Sequence, residues 1–495
     1  MNILIYSVLT LFCFIFLFII YNYAKGLKDS PREIWFLLVA KLIEYAAYGA
    51  SNMTFVLYLS QDCGLGDIEA GSFIGTWSTF LTLLSILVGS VVDAIGIKKT
   101  LLLGVVFLFF GRIVIPFSNT IWLVTIFSFI PVAVGNAILG PVLSVGIKKY
   151  TTPVSSALGF GLYYTLMNVG FALGGYIFDK LRTVFGEHGA YKILGISLST
   201  YQLIFLSCFL LTIPSFIMFL FMRDGIYMNE EAKIEQEAKT NVSSPLYKRF
   251  YESIQTSFVD TIKIMKESFT EKSFWVYLFI LSIFVFIKLI FYHFHYTFPK
   301  YGIRVLGDGV KIGNIYGILN PVMIIFLVPL ISHFTKKIKS YYLLLIGTTI
   351  SATSIFIAAI PETYFSSLLG TWFGDLVLVE WLELRPESQN PVLFSLLFFI
   401  VVFTIGEAIW SPRLFQFSAE IAPKGREGTY LALSYLPYFF AKMIAGPLSG
   451  FLISIYVPAN AKVFPDHYMI WIWIGLMSVI TPIGLILSKN QFKLN

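Results

Sequence analysis

Several ionisable side chains lie inside long apolar runs of the sequence, where a charged group is costly to bury. They are Lys41, Glu44, Arg112, Lys288, Glu407, Arg413 and Lys442. Ionisable residues at membrane depth usually face a pathway or pair with one another. Because most of these residues are basic, a water-filled cavity that they line favours a substrate with a carboxylate or phosphate group.

Glu407 is the best candidate for a proton carrier, because a carboxylate in a medium of low dielectric constant can bind a proton on one side of a membrane and release it on the other. A permanent ion pair with Lys288, Arg413 or Lys442 is the alternative, and the two roles can alternate. Glu44 has the same two interpretations.

Other polar residues of the apolar runs are candidates for the wall of such a pathway. Arg112 either faces the cavity or extends to lipid headgroups from the end of its helix. The remaining candidates are Tyr45, Tyr48, Tyr163, Tyr164 and Asn168. The competing interpretation is packing, since the chain has 28 tyrosines.

The composition identifies the elements that must position these residues. The chain has 495 residues, of which 57% are hydrophobic and 13% charged, whereas soluble domains carry about 25% charged residues. Apolar runs of about 20 residues recur along its length, enough to cross a bilayer as helices. The net charge of +7 reflects cytoplasmic lysine and arginine and does not indicate nucleic-acid binding.

The hydropathy pattern predicts an all-α, multi-pass protein of the cell or inner membrane. The predicted spans are 2–24, 33–60, 70–95, 100–117, 121–147, 154–180, 198–222, 273–298, 310–333, 339–360, 391–420, 428–456 and 466–488. The turns at 98–99, 148–149, 336–339 and 424–426 are basic and alternate correctly to share one side. By the positive-inside rule that side is the cytoplasm, which places the N-terminus outside and the C-terminus inside.

The spans divide the chain into four parts. Residues 1–32 form an extra N-terminal transmembrane helix with its cytoplasmic link; a cleaved signal peptide is the alternative, but a basic region before the apolar run is lacking. Residues 33–222 and 273–495 each form a bundle of six helices. Residues 223–272 form a cytoplasmic linker, with an amphipathic helix after Pro245.

An internal repeat relates the two bundles. Pro153 precedes a helix rich in glycine, and Pro423 precedes another at the same place in the second bundle. The glycines are Gly159, Gly161, Gly170, Gly174 and Gly175 in the first stretch, and Gly425, Gly428, Gly446 and Gly450 in the second. Paired stretches of this kind are typical of repeated transporters that hold a substrate near the bilayer midplane.

The stretch from Gly89 to Lys99 is a charged turn between two spans. It combines Gly89, Asp93, Gly96, Lys98 and Lys99. It resembles the loop between the second and third helices of the major facilitator superfamily of secondary transporters. The resemblance implies a cytoplasmic latch that forms and breaks as the protein rocks; an ordinary positive-inside loop is the alternative.

Other segments resemble the proton-dependent oligopeptide transporters of this superfamily. Gly406–Pro412 reads Gly-Glu-Ala-Ile-Trp-Ser-Pro, and Ala422-Pro423 follows it. Tyr163–Gly170 and Glu44–Gly49 are similar to that family's helix-five and helix-one signatures. The resemblance implies the facilitator fold, with two bundles of six helices, and proton-coupled transport of peptides.

The sequence departs from that family at its charged positions. Glu44 is the only carboxylate where the family's first helix carries two glutamates and an arginine. Gly140 stands before Pro141 where the family has a lysine, and the segment 275–296 contains Lys288 but no glutamate. These departures weaken the prediction that peptides are the substrate.

The sequence thus predicts a secondary active transporter, coupled to protons, that moves a di- or tripeptide or a related carboxylate-bearing metabolite. Its expected partners are this small molecule, protons and the lipid bilayer, and we expect a monomer without cofactor or metal. The alternatives are a transporter of another organic anion, a non-transporting sensor or assembly subunit, and a membrane-embedded transferase. The role of the outer loop 361–390 stays open between an interfacial helix and a mobile loop.

Overall fold

The structure is a computed structural model of the whole chain. It describes residues 17–86, 88–152, 155–193, 195–229, 231–236, 272–421 and 433–489, together with residues 14, 248, 251, 252, 255 and 259. The predicted amphipathic helix of the linker falls almost wholly outside the described residues. Of the predicted first span, residues 14 and 17–24 are described, and they are helical.

Long helices account for nearly all of the described chain. They are α1 (Arg32–Gln61), α2 (Asp67–Ile86), α3 (Val88–Ile95), α4 (Ile97–Phe117), α5 (Ile121–Lys149), α6 (Ser156–Phe185), α7 (Thr200–Leu220), α8 (Lys272–Tyr296), α9 (Gly313–Phe334), α10 (Ser340–Ala359), α11 (Val392–Ile421), α12 (Leu436–Tyr456) and α13 (Met469–Ser488). Within the described residues, eleven helices are long and apolar enough to cross a membrane. The predicted helical membrane fold is confirmed, and span 70–95 corresponds to α2 and α3.

Two small antiparallel hairpins lie at opposite ends of α7. Strands β1 (Ala190–Ile193) and β2 (Ile196–Ser199) pair directly before it, and β3 (Ile226–Met228) and β4 (Ile234–Gln236) pair after it. We call the face with β1 and β2 the outer face, because the charge pattern predicts it to be outside the cytoplasm.

Each group of six spans packs around an aromatic residue on its first helix. In the first group the ring of Phe55 lies 4.9 Å from Trp77 and 5.2 Å from both Phe129 and Phe205. In the second group Phe294 stacks on Tyr316 at 4.4 Å and on Phe399 at 5.3 Å. Aromatic pairs at these separations add to the free energy of burial. The two halves are therefore built on the same plan.

Glycines let the halves approach each other at two related crossings. A Cβ atom on Gly446 of α12 would lie 2.5 Å from the Cα of Gly75 on α2. A Cβ on Gly175 of α6 would lie 2.8 Å from the carbonyl oxygen of Gly313 at the start of α9. Helices α6 and α12 are the fifth spans of their halves, while α2 and α9 belong to the second spans. The predicted repeat thus supplies both crossings; Gly425 and Gly428 lie outside the described residues.

The outer loop 361–390 is a series of short helical turns. Trp372–Asp375 and Leu376–Trp381 continue into each other, and the ring of Phe373 stacks on Phe398 of α11 at 6.0 Å. Trp372 remains 54% exposed. The segment therefore packs on α11 and presents a tryptophan outward, as an interfacial element does.

We expect Gly446→Ala to destabilise the protein, because the added methyl group has no room against the α2 backbone. Overpacking of this kind costs about 1–3 kcal/mol. Thermal melting in detergent measures the loss. Gly140→Ala is the matched control, since a Cβ there meets no heavy atom within 4 Å. Equal melting temperatures for the two variants would contradict the tight crossing.

Candidate functional site

Lys41 is buried on α1 among aromatic rings. Its side chain is 2% exposed, and its Nζ lies 3.8 Å from the ring centroid of Tyr45 and 4.2 Å from that of Tyr163. The Tyr163 hydroxyl donates to the carbonyl oxygen of Gly140 at 3.4 Å. Tyr163 thus contacts both Lys41 on α1 and the Gly140 carbonyl group on α5.

Predicted wall residues of α1 and α6 lie beside Lys41. The rings of Tyr45 and Tyr48 are 5.4 Å apart. Tyr164 is 36% exposed and within Coulombic range of Glu407 in the other half. Asn168 donates from Nδ2 to the Tyr164 carbonyl oxygen at 2.9 Å, so this amide group is used within its own helix.

Glu407 and Lys288 form the charged centre of the second half. The Glu407 carboxylate is 7% exposed and accepts a hydrogen bond from Asn320 Nδ2 at 2.8 Å. Asn320 also donates to Thr404 at 2.9 Å, which orients its amide. Lys288 and Glu407 interact through their charges, but no ion pair within 4.0 Å joins these two described residues.

Lys288 is held by aromatic faces. Its Nζ lies 3.8 Å from the ring centroid of Tyr438, 4.4 Å from that of Trp410 and 4.8 Å from that of Phe291. Cation–π contacts stabilise a desolvated ammonium but leave its N–H donors without acceptors. The group is therefore available to an anion that enters beside Glu407.

Lys442 on α12 reaches across to the other half. Its Nζ donates to the Thr82 hydroxyl at 2.9 Å and lies 5.6 Å from the ring centroid of Tyr292. Arg413 lies apart from this group. It donates to Gln416 and to Thr335, just beyond the end of α9 at the predicted cytoplasmic face.

Glu44 is paired with Arg112, a partner that spacing did not indicate. Arg112 Nη1 donates to Glu44 Oε2 at 2.7 Å and to the Thr212 hydroxyl at 2.6 Å, and both charged side chains are almost fully buried. Glu44 therefore has an ion-pair partner in this structure, while its role as a proton carrier stays a prediction. Arg112 points into the bundle of α1, α4 and α7 and not to headgroups.

An ion cluster joins the halves at the outer face. Asp67, at the start of α2, contacts Lys300 Nζ at 2.7 Å and Arg304 Nη1 at 2.8 Å, and both cations follow α8. Burial lowers the pKa of Lys300, while the Asp67 carboxylate acts in the opposite direction. A pocket beside the cluster is lined by Ser60, His188 and Asp67.

A second outer contact caps a helix across the halves. The Asp179 carboxylate on α6 accepts from the backbone N–H groups of Gly313 at 2.9 Å and Asn314 at 2.7 Å, at the N-terminus of α9. Arg182 donates to the Val310 carbonyl oxygen at 2.8 Å and pairs with Glu187. Burial would raise the pKa of Glu187, but the Arg182 guanidinium outweighs it and holds that pKa below its usual value. These contacts close the outer face in this conformation.

The predicted latch lies at the opposite face. Gly96, with φ of +83°, forms the turn between α3 and α4, a conformation that glycine adopts readily. Lys99 Nζ lies 3.5 Å from the Asp224 carboxylate, and both side chains are about half exposed. The side chains at Gly89 and Asp93 lie outside the described residues, so the latch stays a prediction. Lys98 is half-buried.

Sequence reasoning missed the residues that organise these groups. Asn320 and Thr82 are each one of several polar residues in largely apolar helices, and Asp67 and Asp179 lie at span ends where carboxylates are common. The partner that each of these residues contacts depends on which helices cross. Among the described residues, no group of His, Cys, Asp and Glu is arranged to hold a metal ion.

Comparisons with known proteins give a consistent result. The sequence pattern of the Major Facilitator Superfamily matches residues 37–381. Dipeptide and tripeptide permease B from Xenorhabdus bovienii (strain SS-2004) is 27% identical over 190 residues. This match covers 37% of the chain and spans only 38% of the permease.

Solved structures share the fold. A POT family transporter in complex with 5-aminolevulinic acid has a TM-score of 0.69 at 15% identity, covering 94% of this chain and all of that one. A peptide transporter POT in complex with sulfate has a TM-score of 0.65 at 15% identity, covering 93% of this chain and 95% of that one.

We expect Glu44→Gln and Arg112→Gln each to destabilise the protein strongly. Removing one partner leaves the other charge buried and unpaired, which costs about 3–5 kcal/mol. The double variant should recover part of this loss, because neither charge remains. Melting temperatures of the three purified variants test the pair. Purely additive losses would show that these residues act independently.

We expect Asp67→Asn to open the outer face. The probe is Ser60→Cys, in a chain whose Cys63 is replaced by serine, labelled from outside with a membrane-impermeant maleimide. Losing the ion pairs should raise the labelling rate roughly tenfold. This is the effect of changing the free-energy difference between the closed and open conformations by about 1.4 kcal/mol. The exposed Glu380→Gln serves as control. Unchanged labelling would mean that Asp67 does not hold this face closed.

Proposed function

Because the chain belongs to the Major Facilitator Superfamily, we propose that it is a proton-coupled transporter of a small solute that bears a carboxylate group. The solute is a di- or tripeptide or a related metabolite. The permease relative, which is named for dipeptides and tripeptides, supports this substrate class. Alternating access between the two faces carries the solute across the membrane.

The observation that carries the proposal is the position of Glu407. Its buried carboxylate lies between the halves, close enough to Lys288 and Tyr164 for their charges and dipoles to interact. An isolated carboxylate at such a place is stable only when it is protonated or compensated by a cation. We therefore assign Glu407 both a protonated and an ionised state in the proposed cycle, as a proton carrier requires.

Protonation of Glu407 changes what Lys288 can bind. With the carboxylate ionised, the Lys288 ammonium is compensated by it. When Glu407 is neutral, Lys288 becomes a buried cation whose contacts within the described part of the chain are with aromatic rings. A substrate carboxylate then replaces the lost negative charge, so the proton and the anionic solute enter the site together.

The closed outer face fits one conformation of such a cycle. The glycine crossings of α2 with α12 and of α6 with α9 bring the helix backbones close together, as small residues do between membrane helices. The Asp67 and Asp179 contacts must break before a solute enters from the outer side. We propose that the Gly89–Lys99 turn forms the corresponding contact at the cytoplasmic face.

We expect Glu407→Gln to abolish uptake driven by a proton gradient and to leave counterflow exchange, because glutamine mimics the protonated state permanently. Proteoliposomes of the full chain are assayed with labelled dialanine, Ala-Glu and succinate as separate probes. Glu380→Gln, an exposed glutamate, should transport like the unmodified chain. Retained gradient-driven uptake in Glu407→Gln would remove Glu407 from the coupling mechanism.

A further inference from the structure

We propose that the substrate carries two anionic groups, one bound by Lys41 of the first half and the other by Lys442 of the second. This inference rests on the proposed transport function and narrows its substrate class. It follows from which charges within the spans are already compensated.

Most ionisable groups of the spans are accounted for by protein partners. Arg112 and Glu44 neutralise each other, and Arg413 is bonded at the cytoplasmic face. Lys288 has Glu407 as its charge partner. Within the described part of the chain, no carboxylate lies within ion-pair distance of Lys41 or Lys442.

Lys41 has the surroundings of an empty anion site. Its ammonium is buried and contacts the faces of Tyr45 and Tyr163. Aromatic faces attract a cation but accept none of its three N–H groups well. Burying an uncompensated charge costs several kcal/mol, so an anion that binds here recovers free energy that the protein alone leaves unrecovered.

Lys442 also lacks a carboxylate partner among the described residues, and His295 is a second possible donor near it. The Thr82 hydroxyl is its one described hydrogen-bond partner. His295 lies within Coulombic range of Lys442, and its buried Nδ1 lacks a partner among the described residues. An ammonium and an imidazole nitrogen that converge in this way can bind one carboxylate or phosphate group.

We assign the tyrosine rings beside the two lysines to one binding region. Tyr45, which contacts Lys41, lies 5.4 Å from Tyr48, and Tyr48 is within Coulombic range of Tyr292, which contacts Lys442. A substrate in this region therefore meets a cation from each half. A solute with one anionic group leaves one lysine uncompensated, and this unpaired charge discriminates against it.

The test compares two nearly isosteric dipeptides on the full-length protein. Ala-Glu has two carboxylates and Ala-Gln has one, and ligand-induced stabilisation in detergent reports their affinities. We expect Ala-Glu to bind at least about tenfold more tightly, the effect of about 1.4 kcal/mol. Equal affinities would overturn the proposal. Succinate, with two carboxylates and no ammonium, distinguishes a dicarboxylate site from one that also requires an amino group.

Variants of Lys41 and Lys442 test whether these two residues cause the preference for Ala-Glu over Ala-Gln. Lys41→Gln and Lys442→Gln should each reduce the Ala-Glu preference to near unity, whereas the arginine variants should keep it and show that the fold survives. Lys337→Gln, at an exposed lysine, is the matched control. A full preference in both glutamine variants would place the second anion elsewhere and refute the assignment.

The binding and transport assays distinguish a failure of the two-anion site from a failure of the proposed transport function. If Ala-Glu binds selectively but no probe enters proteoliposomes, the two-anion site stands and the transport function is wrong. If dialanine is driven in by a proton gradient and binds as tightly as Ala-Glu, the transport function stands and the two-anion site is wrong.

Discussion

The close contact of backbones at two helix crossings is the constraint on which the rest of the structure depends. Between apolar helices in lipid there is no hydrophobic driving force, so close packing and polar contacts must hold the halves together. Gly446 against Gly75 and Gly175 against Gly313 bring backbones within reach of each other. That proximity lets Lys442 reach Thr82 and lets Asp179 cap α9.

Because a buried charge needs a partner, the ionisable groups of the spans and the outer face fall into sets with different partners. At the outer face, carboxylates of one half meet cations or N–H groups of the other, and these contacts depend on conformation. Glu44 and Arg112 lie within one half, so this pair persists whichever face is open. The remaining ionisable groups, on α1, α8, α11 and α12, are the ones whose surroundings a solute or a proton can change.

The sequence predicted the helices well because membrane thickness and hydropathy determine them locally. It identified Lys41, Lys288 and Glu407 as buried charged residues but missed Asp179 and Arg182. It did not predict pairing: Arg112 and Glu44 are 68 residues apart, and only the packing of α1, α4 and α7 brings them together. Similarly, Gly140 indicated a missing lysine, but the contacts of Tyr163 with both Lys41 and the Gly140 carbonyl oxygen follow only from the packing of α1, α5 and α6.

The positions of Lys288 and Glu407 limit how a change of conformation can affect the proton on Glu407. Lys288 on α8 and Glu407 on α11 belong to the same half, so a rigid rocking of the halves leaves their separation unchanged. The conformational change therefore does not act on Glu407 through its distance to Lys288. In the proposed cycle, a charged group that shifts the protonation of Glu407 comes from the other half or is the substrate. Tyr164 carries no charge, and Lys41 has no contact with Glu407 among those described. In the proposed cycle, an anion bound between Lys41 and Lys442 would contact both halves and so transmit the change of conformation to Glu407.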